Sequence, residues 1–414
     1  MTNWKKVFAF IWTGQFFSYL SSSVVSFAAI LWLSFETKSA EVLAFAAIAS
    51  MLPQALIAPF SGVWVDRLKR KQLMIFSDLF VAFWSLVMAL MFFSGNVEIP
   101  YIYALLALRS IGSAFHAPAM QASVPLLAPE SELGRVAGIN QVIMSVSSIA
   151  GPALGALMIS TLDMGWVMLF DVVGAAIAVI SLLFVTIPNP ERKNAHLKPH
   201  VFREMREGLQ EISTKPGLVW LFVFSILAML FLMPVAVLFP LMTLEHFQGD
   251  AYQMSLIEAV WGVGMVLGGA LLGAFKVKFN QVVMINFTYL LLGLSFLLSG
   301  VLPSTAFNSF VLLTILGGIA GAVYHSLFTV VVQKTVALDA MGRVFSLYGS
   351  AAIIPSMIGL TATGFIADRV GLGLAFVIGG GVIILLGIAA MFVPSMILLG
   401  KGKSTTLEEV EIPV

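Results

Sequence analysis

Apolar runs of about twenty residues alternate with short polar breaks along nearly the whole chain, and the pattern predicts a succession of membrane-spanning helices. A bilayer core about 30 Å thick takes roughly 20 apolar residues in helical form, and lipid-exposed backbone must close its own hydrogen bonds. The runs fall at 8–33, 42–64, 73–93, 101–123, 136–160 and 166–187, then at 218–244, 252–275, 282–301, 307–332, 344–366 and 372–398. The longest polar break, Pro188 to Gly217, divides them into two sets. Within it Phe202, Met205, Leu209 and Ile212 lie three or four residues apart, the apolar stripe of a short amphipathic helix expected at the membrane surface. The expected organisation is a bundle over 1–187, a linker over 188–217, a second bundle over 218–398 and a tail over 399–414.

Composition agrees with this pattern and leaves no room for a soluble domain. Hydrophobic residues make up 59% of the 414 and charged residues 10%, where a soluble domain carries about 25% charged residues. Met1 to Lys6 is basic and runs into a long apolar stretch with no small-residue cleavage site, so the first span is read as uncleaved. A net charge of +1 offers no basis for nucleic-acid binding, and the lack of cysteine removes thiolate chemistry, disulfides and cysteine metal sites. The five histidines (His116, His196, His200, His246, His325) have no metal-ligand spacing. No cofactor, metal or catalytic residue is expected, and the chain is not read as an enzyme. Gly402-Lys403-Ser404 mimics the end of a nucleotide-binding loop, but Ile397 stands where its first glycine belongs.

Charge placement gives an orientation. With the N-terminus inside, 19 of the 22 lysines and arginines fall in inner segments, Lys38 and Arg369 fall outside, and Arg109 lies within a span. That asymmetry places both termini in the cytoplasm with an even number of spans.

The two sets also repeat one another. Leu133-Gly134-Arg135-Val136 after the fourth span matches Met341-Gly342-Arg343-Val344 after the tenth, an offset of 208 that Gly151 and Gly359 share. Gly112, Phe115 and His116 match Gly321, Tyr324 and His325 at an offset of 209. Parallel duplication of a six-helix unit is a recurrent transporter plan.

The loop after the second span reads Gly62-Val-Trp-Val-Asp66-Arg67-Leu-Lys69-Arg70-Lys71, with Asp78 further on. It resembles the cytoplasmic signature of the major facilitator superfamily, except that Lys69 replaces the second glycine. Gly151-Pro152-Ala-Leu-Gly155-Ala156 resembles the antiporter motif G-P-x-x-G-G with alanine in last place. Together with the run from Arg109 to Pro118 and with Gly134-Arg135 and Gly342-Arg343, the likeness is greatest to the macrolide-efflux (Mef-type) branch of drug:proton antiporters. The resemblance implies an all-α fold of about twelve transmembrane helices in two pseudo-symmetric bundles. It further implies a monomer in a bacterial cell membrane that exports hydrophobic or amphipathic compounds, macrolides among them, against protons. An exporter of a native metabolite such as a siderophore or lipid is the alternative, and a transporter-like sensor is a third.

Candidate residues follow. Gly62 permits close helix approach, and Asp66 can accept backbone N–H groups at a helix end. Arg67, Arg70 and Asp78, with Arg135 and Arg343, are expected to complete a charge network that latches the protein, while Gly151, Pro152 and Gly155 form a packing motif. A charge such as Arg109 within a span costs at least about 2.5–3.5 kcal/mol and calls for a partner or cavity. His116 lies two helical turns along the same face. Asp171 and Glu258 are acids within spans, and Glu258 has Trp261 one turn on, a contact suited to a cationic amphiphile. Glu258 is the first candidate for carrying the proton and Asp171 the second. Gln15 and Tyr19 on the first span, with Tyr324 and His325 on the tenth, complete the set of substrate or coupling candidates.

Overall fold

The computed structural model describes residues 4–37, 40–188, 201–275, 279–353 and 371–401. Among these, the regular structure is helical: α1 Trp4–Thr37, α2 Ala40–Arg67, α3 Arg70–Ser94, α4 Ile99–Leu127, α5 Leu133–Thr161 and α6 Met164–Leu183 in the first half. After α7 (Val201–Ser213) come α8 Pro216–Leu241, α9 Ala251–Ala274, α10 Gln281–Val301 and α11 Phe307–Thr335. Helix α12 opens at 341 and is described to 353; α13 (Leu372–Met391) and α14 (Pro394–Leu399) follow. The eleventh predicted span therefore lies mostly outside the described residues, as do Gly359 and Arg369.

Ten of the described helices are long and apolar enough to cross a membrane. Helix α4 is as long as α5 at 29 residues but is not among the ten, because it spends positions on Arg109 and His116. The predicted last span divides at Phe392, with Pro394 opening a short final helix. The seventh continues past α8 into a π-helical turn, Met242–His246.

Contacts sort the chain into two units that do not follow chain order: residues 130–145 group with most of the second half and 337–350 with most of the first. In unit 1, α1 packs on α6, α3 on α4 and α6, and α2 on α4. Its core includes Val24, Leu33, Met88, Ile102 and Met168. In unit 2, α10 packs on α11 and α13, and α9 on α11. There Phe239 stands at the centre of an aromatic cluster, 5.5 Å from Phe310, 5.2 Å from Phe376 and 5.8 Å from Phe296.

Candidate functional site

Two polar assemblies in unit 1 gather most of the candidate residues. The first is built at the end of α2. Asp66 lies in its last turn, where the α2 dipole disfavours a carboxylate. The start of α12 compensates. Oδ1 of Asp66 accepts the Gly342 N–H at 2.8 Å, and Oδ2 accepts the Arg343 N–H and the Arg343 Nε–H, each at 3.0 Å. The carboxylate thus satisfies unpaired donors at a helix N-terminus and neutralises a guanidinium together. Glycine makes this approach possible: a Cβ on Gly62 would stand 2.7 Å from Arg343 Cα, and one on Gly342 2.6 Å from a Val65 methyl. The four-residue spacing of Gly62 and Asp66 is one helical turn, which lets the backbone contact and the carboxylate face the same partner.

Arg343 also donates from Nη1 to Glu207 at 3.0 Å and from Nη2 to the Asp339 carbonyl at 2.8 Å. Arg67 grips Glu204 through both carboxylate oxygens, at 2.9 and 2.8 Å from Nε. Both acids come from α7, and neither was singled out in the sequence, where α7 is marked only by its apolar stripe. Arg70 is buried, donating to the Ala122 carbonyl at 2.6 Å and to that of Leu338, with Asp66 3.8 Å away. Lys69 takes φ −66° and ψ 116°, an ordinary extended conformation, so the turn needs no glycine there.

The second assembly runs through the interior of unit 1 in two layers. In one, Asp171 of α6 pairs with Arg109 of α4 at 2.9 Å. It also accepts from Ser21 and Ser22 of α1 at 3.1 and 2.7 Å, and from Ser85 of α3 at 2.7 Å. Asp171 is 1% exposed and Arg109 5%. In the other layer Asp78 of α3 accepts from Ser18 at 2.9 Å and Gln15 at 3.4 Å, with His116 Nε2 3.5 Å away. Tyr19 lays its ring edge-on to His116 and donates to the Met120 sulfur. Asp78 and Ser85, Arg109 and His116, and Gln15 and Ser22 are each seven residues apart. Two helical turns separate the layers, about 10 Å at 1.5 Å per residue. Asp78, grouped in the sequence with Asp66 and Arg67, belongs to this column rather than to the α2–α12 contact.

In unit 2, Arg135 on α5 donates from Nε to the Gly273 carbonyl of α9 at 3.0 Å and pairs with Glu132 at 3.1 Å. Gly138 lies against Gly269, where a Cβ would meet the Gly269 carbonyl oxygen at 2.5 Å. Gly269 and Gly273 repeat the spacing of Gly62 and Asp66, so a backbone carbonyl receives Arg135 where a carboxylate receives Arg343. Asn286, 208 residues after Asp78, is fully buried with neither side-chain polar atom hydrogen-bonded among the described residues. Tyr324 shares a hydrogen bond with Ser225 and lies 5.2 Å from the Tyr289 ring, while His325 is exposed. Glu258 is exposed and makes no ion pair or hydrogen bond among the described residues. The Trp261 ring packs 5.8 Å from Phe239 and 6.3 Å from Phe296. The packing motif of α5 lies on α1, where a Cβ on Gly151 would meet Ser23 and one on Gly155 the Val24 carbonyl. Ala156 faces outward, so its methyl group costs nothing there.

Comparison with known proteins settles the family. The model of the Major Facilitator Superfamily matches residues 11–297 and 228–405. The chain belongs to the Major Facilitator Superfamily. It is 36% identical to Macrolide efflux protein A of Streptococcus pyogenes, over 93% of this chain and 95% of that one. Multidrug efflux pump Tap of Mycolicibacterium fortuitum is 25% identical over 90% of this chain and 92% of its own. The fold is shared with solved superfamily structures: the human organic anion transporter MFSD10 superposes with a TM-score of 0.74 at 17% identity, covering 94% of this chain and all of that one. A bacterial homologue of the iron transporter ferroportin in an outward-facing state gives 0.73 at 14% identity, over 93% and 99% of the two chains. The chain is thus a superfamily transporter and a membrane protein, not an enzyme.

Proposed function

We propose that this transporter exports hydrophobic and amphipathic compounds, macrolide antibiotics among them, in exchange for protons and by alternating access. It acts as a monomer in a bacterial cytoplasmic membrane with both termini in the cytoplasm. The observation that carries this reading is the pair of buried acid–base layers in unit 1, in a chain whose relatives are named for macrolide and multidrug efflux. A proton-driven exporter needs a group that stays solvated both charged and neutral. The Asp171 surroundings supply that property. Ser21, Ser22 and Ser85 donate to the carboxylate now, and a hydroxyl can turn to accept from a protonated acid. Protonation would also remove the attraction that holds Arg109, releasing a buried cation to take another position. Asp78, with Ser18, Gln15 and His116, repeats the arrangement two turns away.

These features favour Asp171 and Asp78 over Glu258 as carriers, because Glu258 has no polar partner to exchange among the described residues. Asp66 and Arg343 serve a different purpose, as a latch that opens and closes with the transport cycle. Accumulation of radiolabelled erythromycin and of ethidium in a drug-sensitised host, with and without a protonophore, tests the proposal. Expression should lower accumulation, and the protonophore should restore it. Accumulation unchanged by expression would overturn export, and efflux that survives the protonophore would overturn proton coupling.

A further inference from the structure

Helix α7 has two faces with different chemistry. One is held by the protein through Glu204 on Arg67 and Glu207 on Arg343, and Gly208 is buried against Arg343 and Leu347. The other is exposed. Phe202 is 72% and Leu209 54% exposed, seven residues apart on one side of the helix. Arg203 and Arg206 are also exposed and border one edge of this side. Arg206 makes no ion pair among the described residues, and Arg203 pairs with Glu207 at 3.4 Å with its side chain 69% exposed. Phe202 rests one ring edge on Phe60 of α2, 6.4 Å away, which ties this face to the lipid-length helix α2. Glu204 and Glu207 are engaged by Arg67 and Arg343, and the third acid of α7, Glu211, by Lys215, so the exposed face presents two large apolar groups bordered on one edge by cations.

We infer that this face of α7 docks onto anionic phospholipid, with Phe202 and Leu209 seated at the acyl boundary and Arg203 and Arg206 on headgroup phosphates. Apolar area and cationic charge on one helix face are what bind the interface of an anionic membrane, each basic group near the surface contributing about 1 kcal/mol. An aqueous surface would gain nothing from a phenylalanine and a leucine held apart from the core. A neutral membrane would offer the two arginines no counter-charge beyond the exposed contact of Arg203 with Glu207. The inference does not depend on what the protein transports.

The chain contains no cysteine, so a single Phe202→Cys, Leu209→Cys or Gln210→Cys carries one nitroxide label. The full-length protein is reconstituted in phosphatidylcholine vesicles, or in phosphatidylcholine with a quarter phosphatidylglycerol. Power-saturation accessibilities to oxygen and to a water-soluble nickel chelate are then read. In the anionic vesicles the labels at 202 and 209 should favour oxygen several-fold over the chelate, and that at 210 should remain in water. Arg203→Gln with Arg206→Gln should return the label at 202 toward its value in neutral vesicles. Labels at 202 and 209 that stay water-accessible in both lipids would overturn the docking. Immersion that is equal in both lipids and indifferent to the arginine changes would overturn the assignment to anionic headgroups.

Discussion

Arg343 meets Asp66 twice, once through its backbone N–H and once through its guanidinium, both on the same oxygen at 3.0 Å. One side chain therefore reads both the start of α12 and the charge it carries. The contact is directional as well as electrostatic, because it forms only when the helix N-terminus points at the end of α2.

Asp66→Asn retains the size of the side chain but presents an NH2 group to one of the two backbone donors. Charge-assisted hydrogen bonds are worth about 1.5–3 kcal/mol, so a loss of at least about tenfold in transport rate is expected with normal membrane insertion. Drug efflux from cells, normalised to protein in the membrane, is the measurement. Near wild-type efflux would remove Asp66 from the latch.

The repeat in the sequence suggests equal losses for Arg135→Ala and Arg343→Ala, but the bonding is unequal. Arg343 holds two carboxylates and is 11% exposed, while Arg135 holds one carbonyl and one carboxylate and is 33% exposed. Breaking a buried charged pair costs about 3–5 kcal/mol, and an exposed one about 0–1. Arg343→Ala should therefore lower both transport and thermal stability in detergent more than Arg135→Ala. Equal effects in a side-by-side assay would refute this ranking.

Gly62→Ala places a methyl 2.7 Å from the backbone of Arg343, which cannot move aside as a flexible side chain would. Overpacking of this kind costs about 1–3 kcal/mol. A lower unfolding temperature is expected by fluorescence-monitored melting, and an unchanged one would remove the close approach of Gly62 to Arg343 as a constraint.

Coupling separates the three acids. Asp171→Asn should abolish uphill accumulation in proteoliposomes under an imposed pH gradient while leaving downhill exchange. Asp78→Asn should impair the same uphill step, and Glu258→Gln should have the smallest effect. Were Glu258→Gln alone to uncouple transport, the carrier would lie outside the buried column of unit 1.

The sequence by itself determined the helical class, most helix boundaries and the family, because each depends on local quantities. Apolar run length sets a span, and Gly62-Asp66-Arg67 is contiguous enough to be read as a motif. Which charges meet is a different matter. Asp171 and Arg109 lie 62 residues apart, and Glu204 and Arg67 137, so only helix packing could pair them. The seven-residue spacings of Asp78 with Ser85 and Arg109 with His116 were visible, but spacing within one helix does not say which neighbour faces it. The tertiary structure alone assigned Asp78 to the interior column and packed Trp261 against Phe239 and Phe296. It also brought Glu204 and Glu207 of α7 onto Arg67 and Arg343. The physical reason is that burial leaves a charge one remedy, a partner within hydrogen-bond reach, and reach is set by how helices pack.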